Sequence, residues 1–142
     1  MVYCWPEAAN GGAVEIRDAV TGHRIVRFAP KGQVVWASLS SSLAAVLVQQ
    51  RGTRRIELYN PATGRRLRST SVPRAAKEVA VSGERIVYLT TTGIHQLGTT
   101  GARDRFLARA AGKAFSLSFE GRSIVWAEDG KVDRIRELQV AG

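Results

Sequence analysis

Asp18-Ala19-Val20-Thr21-Gly22 and, forty-two residues further on, Asn60-Pro61-Ala62-Thr63-Gly64 are the stretches on which the fold turns. Each opens with a short polar side chain that can bond its own backbone. Each closes with a glycine, placed where a hairpin needs a positive φ. Polar and apolar residues then alternate, as His23-Arg24-Ile25-Val26-Arg27-Phe28 in the first case and Arg65-Arg66-Leu67-Arg68-Ser69 in the second. A third, weaker copy, Gly98-Thr99-Thr100-Gly101, lies thirty-seven residues beyond the second. One such turn is commonplace, but three at near-constant spacing mark a repeat of about forty residues.

A second series runs in step with the first. Short apolar runs recur at Leu43-Ala44-Ala45-Val46-Leu47-Val48, Ile86-Val87-Tyr88-Leu89 and Ile124-Val125-Trp126-Ala127. They are short, flanked by turn residues and rich in β-branched and aromatic side chains, which predicts strands covered on both faces. Flanking strands alternate instead, Ile56 and Leu58 against Glu57 and Tyr59, and Val79 and Val81 against Glu78 and Ala80. Alternation predicts one face less completely buried. The units then read as meanders of four short antiparallel strands: 34–40, 43–50, 54–60 and 65–72, followed by 78–82, 85–91, 93–97 and 104–110. A last unit offers 114–119, 123–128 and 134–140, and a first offers 2–5, 14–18 and 24–29 with no room for an opening strand. No segment carries a helical period with caps. The fold class is all-β, one domain divided at 1–29, 30–72, 73–110 and 111–142, the outer two units partial.

Hairpins of the Asp-x-x-Thr-Gly and Asn-x-x-Thr-Gly type, between the third and fourth strands of a four-stranded unit, resemble those of β-propeller blades. The likeness is to the WD-repeat, YVTN and quinoprotein-like propellers, and it covers almost the whole chain. The Gly-His and Trp-Asp dipeptides of WD repeats are missing, as is a tryptophan-docking signature after the Thr-Gly turns, so no catalytic or cofactor residue carries over. Closed propellers take four to eight blades. Two complete units and two partial ones imply an incomplete propeller: a fragment, a chain that docks on another, or one that self-associates. An up-and-down barrel is the structural rival.

Composition narrows the function classes. The chain has 142 residues, 44% hydrophobic and 23% charged, which fits a globular domain and excludes disordered and collagen-like chains. The single cysteine, Cys4, makes neither an internal disulfide nor a structural zinc site. No apolar run approaches the roughly 18 residues of a membrane helix, so no membrane partner is expected. The N-terminal residues have no basic n-region or apolar h-region, which gives a cytoplasmic expectation, or export for a fragment of a longer protein.

Candidate chemistry is sparse, and the expectation is no enzyme, no cofactor and no metal. His23 and His95 sit without a partnered nucleophile and read as exposed strand or turn positions. The loop Asp129-Gly130-Lys131-Val132-Asp133 is short of carboxylates for calcium and reads as an Asp-Gly hairpin. Trp5, Trp36 and Trp126 lie on or beside apolar strands and read as packing between units. Charge is the strongest hint: 21 basic against 12 acidic residues give +9. Between 51 and 77, Arg51, Arg54, Arg55, Arg65, Arg66, Arg68, Arg74 and Lys77 face one acid, Glu57. Arginine forks suit phosphate and sulfate, and Tyr59 could stack a base; charged edge strands that block unwanted pairing are the simpler account. The leading expectation is a non-catalytic propeller-type binding or scaffold module, with a protein partner or self-association through its ends. Polyanion or nucleic-acid binding through the arginine strip, or the remnant of an enzyme-bearing propeller, are the alternatives.

Overall fold

Asp18 and Asn60 show how the repeat is built. The Asp18 Oδ1 accepts the N–H groups of Val20 at 2.9 Å and Thr21 at 2.7 Å, and Gly22 turns back at φ +73°. Asn60 repeats this with Ala62 at 2.9 Å and Thr63 at 3.2 Å, and Gly64 takes φ +71°. In the third copy glycine replaces the polar residue, and Asp104 supplies the acceptor from the far side of the loop, 2.9 Å from the Gly98 N–H. The two glycines differ in surroundings. A Cβ on Gly22 would meet nothing within 4 Å, whereas one on Gly64 would lie 2.7 Å from Val26 Cγ2 in the preceding sheet. Gly22→Ala is expected to cost about 1 kcal/mol of stability through φ alone. Gly64→Ala should cost about twice that by also prising the two sheets apart, which urea unfolding of both variants will read.

The computed structural model describes residues 1–5, 12–110, 113–130 and 134–141, with strand pairing alone for 2–5. Four antiparallel meanders follow one another. The first comprises β1 (Val2–Trp5), β2 (Ala13–Arg17) and β3 (Arg24–Phe28). The second has β4 (Gln33–Leu39), β5 (Ala44–Gln50), β6 (Thr53–Tyr59) and β7 (Arg66–Val72), and the third β8 (Glu78–Ser82), β9 (Arg85–Leu89), β10 (Gly93–Gln96) and β11 (Arg105–Arg109). The fourth comprises β12 (Lys113–Glu120), β13 (Ser123–Asp129) and β14 (Arg134–Gln139). Each strand begins and ends within two residues of its predicted bounds. Because the Thr-Gly turn joins β2 to β3 as it joins β6 to β7, the first sheet holds the second to fourth strands of a blade. The fourth sheet holds the first three.

Successive sheets stack face to face, β4 against β8 and β8 against β12 on the inner side. The apolar interior is therefore a series of slabs. Val14, Ile16, Val46 and Tyr59 fill the first, Leu47, Ile56, Val79 and Tyr88 the second, and Leu89, Ile94, Ile124 and Trp126 the third. Propeller-type blades explain this arrangement, and a closed barrel does not.

Two expectations change. Alternation in β6 and β8 does not leave a face exposed, because Glu57, Tyr59, Glu78 and Ala80 are as buried as their apolar neighbours. The second and third sheets are each sandwiched between neighbours, so these polar groups are bonded inside the stack instead, Glu57 and Tyr59 within their own sheet and Glu78 across to the fourth. The tryptophans separate as well. Trp126 is 1% exposed between the third and fourth sheets, while Trp36 is 40% exposed on the innermost strand beside a bulge. The Trp5 side chain and residues 131–133 of the expected Asp-Gly hairpin lie outside the described residues.

Candidate functional site

Buried carboxylates at the blade interfaces are the chemistry that sequence reading missed. Glu57 on β6 accepts from the Tyr59 hydroxyl at 3.0 Å and from Arg66 Nη1 at 3.0 Å, with Arg55 Nε at 3.4 Å. Burial, and then the Glu57 charge, push the Tyr59 hydroxyl well above its ordinary range, so it remains a donor. Its ring stacks on Phe28, centroids 4.0 Å apart. Tyr59 is therefore closed to an incoming base, which corrects the stacking role expected of it.

Glu78 on β8 reaches across to the fourth sheet. A register shift in β12 frees two N–H groups from the ladder, and Glu78 accepts both, Ser116 N at 3.0 Å and Leu117 N at 2.7 Å. Ser116 takes φ +55° there, held by that bond. Glu128 receives Trp126 Nε1 at 3.0 Å and Arg134 Nε at 2.8 Å. The sequence signal was present in each case: a glutamate two places from an aromatic ring, or at the head of an apolar strand, inside a run that is otherwise core. Their oxygens are engaged by fixed donors, which makes them ties between strands and sheets. Among the described residues, no three His, Cys, Asp or Glu side chains converge as metal ligands would.

His95 departs from its expected exposure. It lies parallel to Tyr88 at 5.0 Å, meets Phe106 edge-on at 5.3 Å, and its Nε2 is 3.3 Å from Thr90 Oγ1. Tyr88 in turn donates to Asp104 at 2.6 Å. His23, by contrast, is exposed in the first Thr-Gly turn. Burial lowers the affinity of His95 for a proton, and the Asp104 charge only partly opposes this. The unfolded chain takes up that proton near pH 6.5 and the folded chain only below it. The unfolded state thus binds more protons in this window, and stability falls as pH drops through it. Melting curves at pH 7.5 and 5.5 should show a larger acid loss for the wild type than for His95→Phe.

The arginine strip does not form one rim. β6 and β7 run in opposite directions, so the segment visits both ends of the second sheet. Arg51, Arg54, Arg55, Arg74 and Lys77 lie at the end that carries the blade-to-blade connections, and Arg65 and Arg66 lie at the Thr-Gly end. Half of the eight are structural. Arg54 bonds Gln49 and the Ala76 carbonyl, Arg55 bonds Gln50 and the Lys31 carbonyl, Arg66 bonds Glu57, and Lys77 bonds the Ala114 carbonyl. Arg51, Arg65 and Arg74 are exposed, and Arg68 is half-buried on β7.

Charge segregates by end of the stack rather than by segment. At the connection end Lys31, Arg51, Arg74, Arg109 and Lys113 are exposed, against one exposed acid, Asp129, among the described residues. The Thr-Gly end mixes signs, with Glu84, Asp104 and Glu120 among its arginines. A shallow hollow of about 550 Å³ opens at the connection end, lined by Thr91, Thr92, Phe106 and Arg109.

Against known proteins, no family model and no curated sequence matches the chain. Solved structures do. The chain is similar to BamB from Moraxella catarrhalis, with TM-score 0.55 and 14% identity over 96% of this chain and 45% of that one. It is also similar to the hydrazine synthase of Kuenenia stuttgartiensis, with TM-score 0.57 and 11% identity over 89% of this chain and 40% of that one. Both are propeller-type folds, and this chain spans less than half the length of either. Four consecutive antiparallel sheets with this likeness define a partial β-propeller. Among the described residues no helix is long and apolar enough to cross a membrane.

Proposed function

We propose that this chain is a non-catalytic propeller-type binding module that meets its partner through an end face of the stack. The observation that carries it is the engagement of Glu57, Glu78 and Glu128 by fixed donors inside the blades, which leaves the connecting loops as the accessible chemistry. One of the two structural neighbours is an enzyme by name, so the fold alone favours neither binding nor catalysis. Two charge-reversed triples test the reading. One carries Lys31→Glu, Arg51→Glu and Arg74→Glu at the connection end, and the other Arg65→Glu, Arg103→Glu and Arg122→Glu at the Thr-Gly end. A partner captured by the wild type should be lost with one triple and kept with the other. Equal capture by both, or a catalytic turnover abolished by a single substitution, would overturn the reading.

The basic connection end favours a second reading, a polyanion ligand. Arg109, two threonine hydroxyls and the Phe106 ring around one hollow are chemistry suited to a phosphate with an attached base. Binding of a single-stranded oligonucleotide at increasing salt checks it. The connection-end triple should lower the log–log salt slope by about 2, at roughly 0.7 for each phosphate no longer neutralised, with little change for the other triple.

A further inference from the structure

The outer face of the fourth sheet repeats, position by position, the faces that cover one another inside the stack. Pairing across the inner hairpins places Leu43, Arg85 and Ser123 in equivalent positions. From that anchor Ala45, Val87 and Val125 coincide, as do Leu47, Leu89 and Ala127. Their cross-strand partners are Ile56, Ile94 and Ile135. Ile56 and Ile94 are 0% exposed because the next sheet covers them, while Ile135 is 78% exposed. Phe115 carries less weight: it is 43% exposed, but its counterpart Trp36 is 40% exposed in a covered blade. Ile135 is the residue that marks a blade-receiving face with no blade on it.

The first sheet offers the matching face. Alternation turns Val14 and Ile16 toward the second sheet and Glu15 and Arg17 away from it. The Thr-Gly turns align Arg17 with Tyr59, and strand pairing aligns Tyr59 with Leu97; Glu137 aligns likewise with Leu58. Leu58 and Leu97 share one core cluster across the second and third sheets. At the same place in a new junction, Glu137 would therefore face Arg17, an acid opposite a base. Both are held for it, Glu137 by Ser123 at 2.5 Å and Gln139 at 2.6 Å, and Arg17 by Glu15 and the Gly22 carbonyl.

We infer that the fourth sheet of one chain docks on the first sheet of a second copy, and that two copies close head to tail into one propeller ring. The chain spans 45% and 40% of two propeller-type chains, so two copies supply close to the length those folds use. A head-to-tail contact closes when the rotation between copies divides the circle, and half a ring per chain does so at two. The inference rests on the fold and stands apart from what either end face binds.

Sedimentation equilibrium of the full chain is expected to show a species of twice the 15.4 kDa chain mass at micromolar concentration. Ile135→Glu, at an exposed position that leaves the fold intact, should raise the dissociation constant about 100-fold. Val20→Glu, in an equally exposed turn, should leave it unchanged. In a Cys4→Ser background, mild oxidation of an Arg17→Cys, Glu137→Cys variant should join the fourth sheet of one copy to the first sheet of the second through a disulfide, since the two positions would face each other. A monomer at all concentrations, as when another protein or further blades of a longer chain cover the face, would overturn the inference. So would a dimer indifferent to Ile135→Glu, or cross-links from fourth sheet to fourth sheet.

Discussion

Trp126→Ala is expected to be the most damaging single substitution in the chain, at about 4 kcal/mol. Trp126 is 1% exposed, on the side of β13 that meets Leu89 and Ile94 of the third sheet. Deleting the indole removes the largest side chain of that slab. The rigid β8–β9 pair cannot collapse into the space, so the cavity penalty adds to the lost transfer energy. It also takes the Nε1 donor from Glu128, 3.0 Å away, and the ring beneath the Arg136 guanidinium at 6.0 Å. Trp126→Phe separates the two contributions, since it keeps most of the volume and loses the bond; about 1.5 kcal/mol is expected. Trp36→Ala should cost under about 1 kcal/mol, because much of that ring is already in water. Equal losses at Trp36 and Trp126 in guanidinium unfolding would mean that the slab between the third and fourth sheets does not carry the stability assigned to it.

The architecture was legible because propeller blades repeat local chemistry. An Asp or Asn accepting the N–H groups two and three places on, with a glycine at positive φ four places on, is written entirely in adjacent residues. So are the apolar runs of β5, β9 and β13. Contacts between blades are not written that way. Glu78 meets Ser116 and Leu117 across 38 and 39 residues, and the bulge that frees those N–H groups leaves no mark in the sequence. Alternation in β6 suggested a wet face because polarity stands in for exposure, and a sheet sandwiched on both sides breaks that link. The arginine strip divides for a related reason. Consecutive residues on a hairpin go to opposite ends of a sheet, so a charge cluster in the sequence becomes two separate ones in space. The basic connection end gathers Lys31, Arg51, Arg74, Arg109 and Lys113 from four distant segments, and only the topology brings them together.

Glu57→Ala is expected to cost about 3 kcal/mol, and its partners explain why the figure is not larger. Arg66 is half in water and can rehydrate when its acceptor goes. Arg55 is 19% exposed but keeps the Gln50 side chain and the Lys31 carbonyl. Tyr59 has no such recourse: its ring is held against Phe28, and its hydroxyl is buried beside the vacated site with its acceptor gone. An unsatisfied buried donor costs about 1–3 kcal/mol, so it should account for most of the loss. The pair Glu57→Leu with Tyr59→Phe fills the volume and removes both polar ends, and its cost should fall at least about 1 kcal/mol below the sum of the single variants. Strict additivity in that cycle would show that the hydroxyl and the carboxylate act independently. The tie between Glu57 and Tyr59 would then not be what holds β6 in the stack.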